Sequence, residues 1–146
     1  MENKVFSTVA GGLAATAVIT GVMLLLSYLG MPDINYGEML ATFTKTTPLV
    51  GWIMHFVTGT ILAYGYVYYF RDEVDGPYPI RGLIYGVLPW VITLIMLFPM
   101  IGIKRDNSPS PSVGIFILST MVAYLAFGLV LGAIAKPHVQ KSAVAV

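Results

Sequence analysis

Long apolar stretches alternate with short polar ones along this chain, and every Asp, Glu, Lys and Arg falls in the polar ones. No charged side chain occurs between Lys4 and Asp33, Lys45 and Arg71, Arg81 and Lys104, or Asp106 and Lys136. The shortest of these gaps is 22 residues. At about 1.5 Å of helical rise per residue, each gap can cross about 30 Å of hydrocarbon. The pattern predicts transmembrane helices over residues 5–30, 48–70, 80–103 and 113–135. That is an all-α, four-transmembrane-helix bundle forming a single integral membrane domain over 1–146. Met31-Pro32 ends the first helix, Asp75-Gly76-Pro77-Tyr78-Pro79 breaks the second from the third, and Ser108-Pro109-Ser110-Pro111-Ser112 precedes the fourth. The first stretch is read as a retained helix. Apolar sequence runs through Val22-Met23-Leu24-Leu25-Leu26, well past the small-residue patch Ala14-Ala15-Thr16-Ala17 where a signal would be cleaved.

The connection over 33–47 is the longest. Ile34, Met39, Leu40 and Phe43 recur in it at roughly helical spacing among polar residues, and Asp33 is a plausible N-cap. These residues predict a short amphipathic helix lying in the membrane interface. Tyr64, Tyr66, Tyr68, Tyr69 and Phe70 precede Arg71-Asp72-Glu73 and read as an aromatic belt. Pro89 falls mid-span in the third helix, where it cannot donate to the carbonyl of Tyr85, so a kink or a compensating neighbour is expected. The halves of the chain are faintly alike. Gly12-Leu13 and Gly82-Leu83 open the first and third helices, and His55-xxx-Gly59 matches Tyr124-xxx-Gly128, at offsets of 70 and 69; a rival register pairs Gly65 with Gly128 at 63. Either register describes two parallel αα-hairpin repeats, not the inverted repeat of many transporters.

Composition agrees with a membrane address: 57% of residues are hydrophobic, 10% are charged, and mean hydropathy is +0.81. Lys4, Arg71, Arg81, Lys136 and Lys141 lie on one side of the predicted spans, and Lys45, Lys104 and Arg105 on the other. The positive-inside rule then places both termini in the cytoplasm. A net charge of +1 offers no basic face, so no nucleic-acid partner is expected. With no cysteine there is no disulfide, thiolate metal site or thiol relay. Carboxylates for proton coupling are absent from the spans. Nucleophile, zinc-protease and phosphate-loop motifs are absent as well, so no enzymatic activity, metal or cofactor is expected.

What remains in the spans is small residues and a few polar ones. Gly11-xxx-Ala15, Ala17-xxx-Gly21, Gly82-xxx-Gly86 and Gly128-xxx-Gly132 have the spacing that lets helix backbones approach closely. Gly11, Ala15, Gly82, Gly86, Gly128 and Gly132 are therefore candidate packing residues. His55 is the one strongly polar side chain within a span, either a structural histidine or a ligand to haem, metal or a quinone headgroup. His138, the other histidine, follows the fourth helix at the opposite face. Met96-xxx-Met100 resembles a thioether pair suited to Cu(I), and Trp90 beside Pro89 is expected to pack between helices. His55, Trp90, Met96 and Met100 form the candidate ligand-contacting set.

Gly51-Trp52-Ile53-Met54-His55-Phe56-Val57-Thr58-Gly59, Arg81-Gly82-Leu83-Ile84-Tyr85-Gly86, Pro89-Trp90, Pro99-Met100 and Gly128-xxx-Gly132 resemble the pattern of a family of small four-helix prokaryotic integral membrane proteins of unknown function. The resemblance implies a four-helix fold and no established activity. Members often carry a histidine before the last helix's glycines, where this chain has Tyr124. The expected role is a non-catalytic accessory subunit of a larger membrane complex, of the respiratory or another electron-transfer kind. Its expected partners are the lipid bilayer and other integral membrane subunits. The alternatives are a small-molecule or copper binding or transport protein, and a redox subunit contacting haem or quinone through His55.

Overall fold

The computed structural model describes residues 2–101 and 113–134, with side chains over 4–96 and 113–134. Four long helices and one short one make up the fold: α1 (Glu2–Tyr28), α2 (Tyr36–Thr44), α3 (Pro48–Gly65, continued by a π-turn over Tyr66–Phe70), α4 (Tyr78–Ile101) and α5 (Val113–Ile134). The spans Lys4–Tyr28, Pro48–Phe70, Tyr78–Met96 and Val113–Ile134 are long and apolar enough to cross a membrane, which makes this a multi-pass membrane protein. The expected residues 102–103 and 135, the Ser-Pro run of 108–112, Lys104, Arg105, Lys136, His138 and Lys141 lie outside the described residues.

The helix ends follow from local chemistry. α1 stops at Gly30, which takes φ 87°. The amide of Gly30 bonds the Ser27 carbonyl and that of Met31 the Leu26 carbonyl, a Schellman closure at a residue with no Cβ penalty. α2 starts two residues later than the expected Asp33 cap. Asn35 is the N-cap, its Oδ1 accepting from the Glu38 amide at 3.1 Å, with Glu38 placed three residues on where a carboxylate favours the helix start. α2 ends on Lys45 in the left-handed region at φ 55°. Pro48 then opens α3, where a missing N–H costs nothing.

One end of the bundle carries the chain's N-terminus and the α3–α4 hairpin; Lys4 Nζ lies 4.2 Å from the Tyr68 ring centre. The other end carries α2. In α3 the π-turn adds one residue to the last turn, so the Arg71 amide bonds the Tyr66 carbonyl at 2.8 Å. This phase shift departs from a simple belt. Tyr64 and Tyr69 face outward, while Tyr66 is fully buried with its hydroxyl donating to the Tyr78 carbonyl at 3.3 Å.

Two glycine crossings hold the helices in pairs. On α1 and α3, a Cβ at Gly12 would stand 2.8 Å from Thr60 Cα and 2.9 Å from Ala63 Cβ, and one at Gly59 would overlap the Thr16 hydroxyl. On α4 and α5, a Cβ at Gly82 would overlap the Gly128 carbonyl oxygen, and one at Gly132 the Tyr78 carbonyl oxygen. Gly86 lies against the Tyr124 carbonyl of the same crossing. The crossings correspond at the 70 and 69 offsets, Gly12 on Gly59 and Gly82 on Gly128. Under the rival offset, Gly65 would match Gly128, but it meets the Tyr85 hydroxyl instead of a helix backbone. α1 also packs along α5, where Gly11 faces Leu131 and Ile134 and Ala15 is fully buried. The α3–α4 interface that would correspond to it is close only near the hairpin end, through the π-turn and the Tyr85 hydroxyl, which donates to the Leu62 carbonyl at 2.8 Å. α4 remains helical through Pro89.

Candidate functional site

Where α3 and α4 diverge, the space is filled from α2. Gly37 of α2 sits on the Trp52 ring, and Gly51 of α3 lies against the Gly37 carbonyl and the Ala41 amide, so the two backbones meet closely. This contact buries Tyr36, Gly37 and Ala41 and turns the Tyr36 side chain into the bundle. Of the stripe expected to lie in the interface, Ile34 and Met39 pack against the core and Phe43 is exposed. α2 is thus docked on α3 through its glycine face.

The Tyr36 ring lies parallel to the His55 imidazole, with centroids 5.0 Å apart and planes within 9°. Its edge meets Tyr124 at 6.3 Å and 76°. Trp52 and Phe56 approach the imidazole edge-on, at 5.8 and 5.7 Å. Thr20 of α1 lies 3.1 Å from His55 Nε2. The Thr20 hydroxyl donates its single hydrogen to the Thr16 carbonyl at 2.8 Å, so His55 donates to Thr20. Inside a span with no countercharge the ring is neutral, so this is the Nε2–H tautomer, with the lone pair on Nδ1. Tyr124 and Thr93 of α4 share a hydroxyl–hydroxyl bond of 2.6 Å. Thr20, Tyr36, His55, Thr93 and Tyr124 come one from each helix, and none carries a charge.

His55 and Tyr124 occupy corresponding places, each four residues before a crossing glycine, and they hold Tyr36 from two sides. Tyr36 is 3% exposed, and its hydroxyl is the one buried side-chain polar atom among the described residues with no hydrogen-bond partner. Burial, reinforced by the Tyr124 phenol, pushes its pKa well above the usual tyrosine value, so it remains a protonated donor.

The other residues singled out from sequence lie elsewhere. Trp90 is half-buried and donates from Nε1 to the Thr120 hydroxyl of α5 at 3.2 Å. Met96 is exposed on α4, and the Met100 side chain lies outside the described residues. Among the described residues, no three His, Asp or Glu side chains converge as a metal site would require. Tyr36, Thr20 and Thr93 carry no motif or charge that marks them in the sequence. The available signal was that Tyr36 stands one turn before Met39 and Leu40 and so belongs to the same helical stripe.

Residues 2–145, the π-turn and both glycine crossings included, match the profile of DUF6789, a family of unknown function. The chain belongs to DUF6789. No curated protein and no solved structure matches it. Family membership therefore assigns no activity, and the four-helix membrane frame rests on the spans of this chain.

At the hairpin end, Arg71 is buried and grips Asp72 through Nε at 3.1 Å and Nη2 at 3.0 Å. The Arg71 carbonyl accepts from Arg81 Nη1 at 2.7 Å, and Arg81 Nε donates to the Gly76 carbonyl. These contacts satisfy backbone groups of the loop between α3 and α4.

Proposed function

We propose that this DUF6789 protein is a non-catalytic accessory subunit whose α1–α3 face receives a transmembrane helix of a larger membrane protein. The observation that carries this reading is that Gly21 continues an α1 row that begins at Leu13 in an open groove. A Cβ at Gly21 would meet nothing within 4 Å, whereas the glycines at the two crossings are pressed by a neighbouring helix. Leu13, Ala17 and Gly21 follow one another at four-residue spacing and form one row on α1. Leu13, at the start of this row, lines an open groove of about 450 Å³ between α1 and α3 together with Trp52, Ile53, Phe56, Val57, Thr60 and Ile61.

A lipid tail gains nothing from a glycine opposite it, but a helix backbone does, because close approach supplies the packing that drives association in lipid. The occupant is therefore an apolar helix with a small-residue face. The host is taken to be a respiratory or other electron-transfer assembly, where small accessory subunits are common. Lys4, Arg71 and Arg81 cluster at the hairpin end, which supports a cytoplasmic location for both termini under the positive-inside rule.

The absence of cysteine makes the test clean. Gly21→Cys and Ile53→Cys, crosslinked in native membranes, should each join one and the same integral membrane protein. Gly114→Cys, on open α5 surface, should not. Gly21→Ile should abolish the crosslink from Ile53→Cys. Crosslinks only to a second copy of the chain, or none, overturn the proposal.

A further inference from the structure

The correspondence between the two helix pairs equates α1 with α4 and α3 with α5, so α1–α5 and α3–α4 are matching interfaces. The first is packed along its length, while the second opens beyond the Tyr85–Leu62 bond and is filled by Tyr36. Two of the polar contacts lining this opening are closed, Thr20 with His55 and Tyr124 with Thr93. The Tyr36 hydroxyl alone is left over. A buried hydroxyl without a partner costs about 1–3 kcal/mol, and native structures leave few such groups unexplained.

We infer that the loosely packed α3–α4 interface around Tyr36 is a binding site for a neutral, planar, lipid-soluble carbonyl compound of the quinone type, with the Tyr36 hydroxyl donating to the carbonyl oxygen. Each property of the ligand follows from one property of the site. It is neutral because Thr20, Tyr36, His55, Thr93 and Tyr124 supply no countercharge for a buried ion. It is lipid-soluble because His55 lies about 10 Å and Tyr124 about 16 Å along their helices from the α2 end, at 1.5 Å per residue. It presents an acceptor because a buried phenol that stays protonated is a donor. It is planar because it has to enter between α3 and α4 beside the stacked Tyr36 and His55 rings. In this structure the hydroxyl is sealed, and occupancy requires α4 side chains to part from α3. The sparse contact between those helices at this end opposes that little.

The test uses the purified full chain without any partner, so it stands or falls separately from the docking proposal. Trp52 and Trp90 are the chain's two tryptophans, and Trp52 touches His55. Titration with a short-chain benzoquinone or naphthoquinone should quench their fluorescence saturably. Tyr36→Phe should weaken the affinity about tenfold, the loss of one hydrogen bond to a buried acceptor. Tyr64→Phe, at the exposed hairpin end, should leave affinity unchanged. The infrared carbonyl stretch of the bound quinone should fall below that in detergent alone, a readout that needs no variant. Quenching that does not saturate, equal affinity in Tyr36→Phe, or an unshifted carbonyl stretch overturns the inference. Displacement of the quinone by excess phosphatidylcholine would give the site to a lipid ester carbonyl and overturn it too.

Discussion

The phenol of Tyr36 and the imidazole of His55 are stacked 5.0 Å apart and within 9° of parallel, and this contact joins the short helix α2 to the interior of α3. Stacked aromatic pairs contribute about 0.5–1.5 kcal/mol beyond the area they bury. Because the ring is well placed and only its hydroxyl is not, ring and hydroxyl have opposite effects on stability.

Tyr36→Phe keeps the ring and removes the orphan donor. In ligand-free detergent it should raise stability by about 1 kcal/mol, whereas a buried tyrosine usually loses stability on this change. The pH dependence has a definite sign. The folded-state pKa is raised, so the Tyr36 contribution is fully present below the ordinary phenol value of about 10 and is lost as pH rises beyond it. The melting temperature of Tyr36→Phe should therefore exceed that of the native protein by a margin that widens from pH 9 to pH 11. Circular dichroism melts at these pH values check this, and a destabilised Tyr36→Phe at neutral pH would refute it.

The Thr20–His55 bond joins α1 to α3 one turn from Gly59 along α3 and about two turns from Gly12 along α1. His55→Phe retains an aromatic ring for Tyr36 and discards the donor, while Thr20→Val discards the acceptor. A double-mutant cycle with these two changes should give a coupling of about 0.6–1 kcal/mol, the usual size for a hydrogen bond between membrane helices. Zero coupling in reversible unfolding would mean that the two side chains do not bond.

The spans could be read from the sequence because charge is excluded from hydrocarbon, a constraint that acts on every residue of a crossing helix. The α2 helix was readable from its apolar spacing, but the depth of Tyr36 was not. Its burial comes from the Gly37–Gly51 approach, a contact between helices that no local pattern encodes. The same holds for the cap, where Asp33 and Asn35 are both suitable types and only the turn geometry selects Asn35. His55 stood out by polarity, but Thr20 and Thr93 did not, because threonine is common in apolar helices with its hydroxyl bonded to its own backbone.

Glycines at the crossings and on the outer surface should respond differently to the same substitution. Gly82→Ala and Gly128→Ala place a methyl against the backbone of the other helix, which cannot give locally, and each should cost about 1–3 kcal/mol. Gly21→Ala enters open space and should leave the isolated fold unchanged or stabilise it slightly, as alanine favours helix. Thermal unfolding of the three variants in one detergent decides this. Equal losses at all three positions would count against the crossings described above.

At the hairpin end, Arg71 holds the Asp72 carboxyl below the usual carboxylate range, mainly through their hydrogen bonds. A depressed folded-state pKa means that the pair's contribution is present above the ordinary carboxylate value of about 4 and is lost as pH falls below it. Asp72 itself is largely exposed, so solvent screening limits the pair to about 0.5 kcal/mol. Asp72→Asn should therefore lower stability slightly at pH 7 and flatten its decline between pH 5 and pH 3. Arg71→Lys should cost more, because the buried guanidinium bonds both carboxylate oxygens at once through Nε and Nη2, a fork that a single ammonium lacks. If Arg71→Lys and Asp72→Asn lose the same stability at pH 7, the two-point grip does not hold the hairpin.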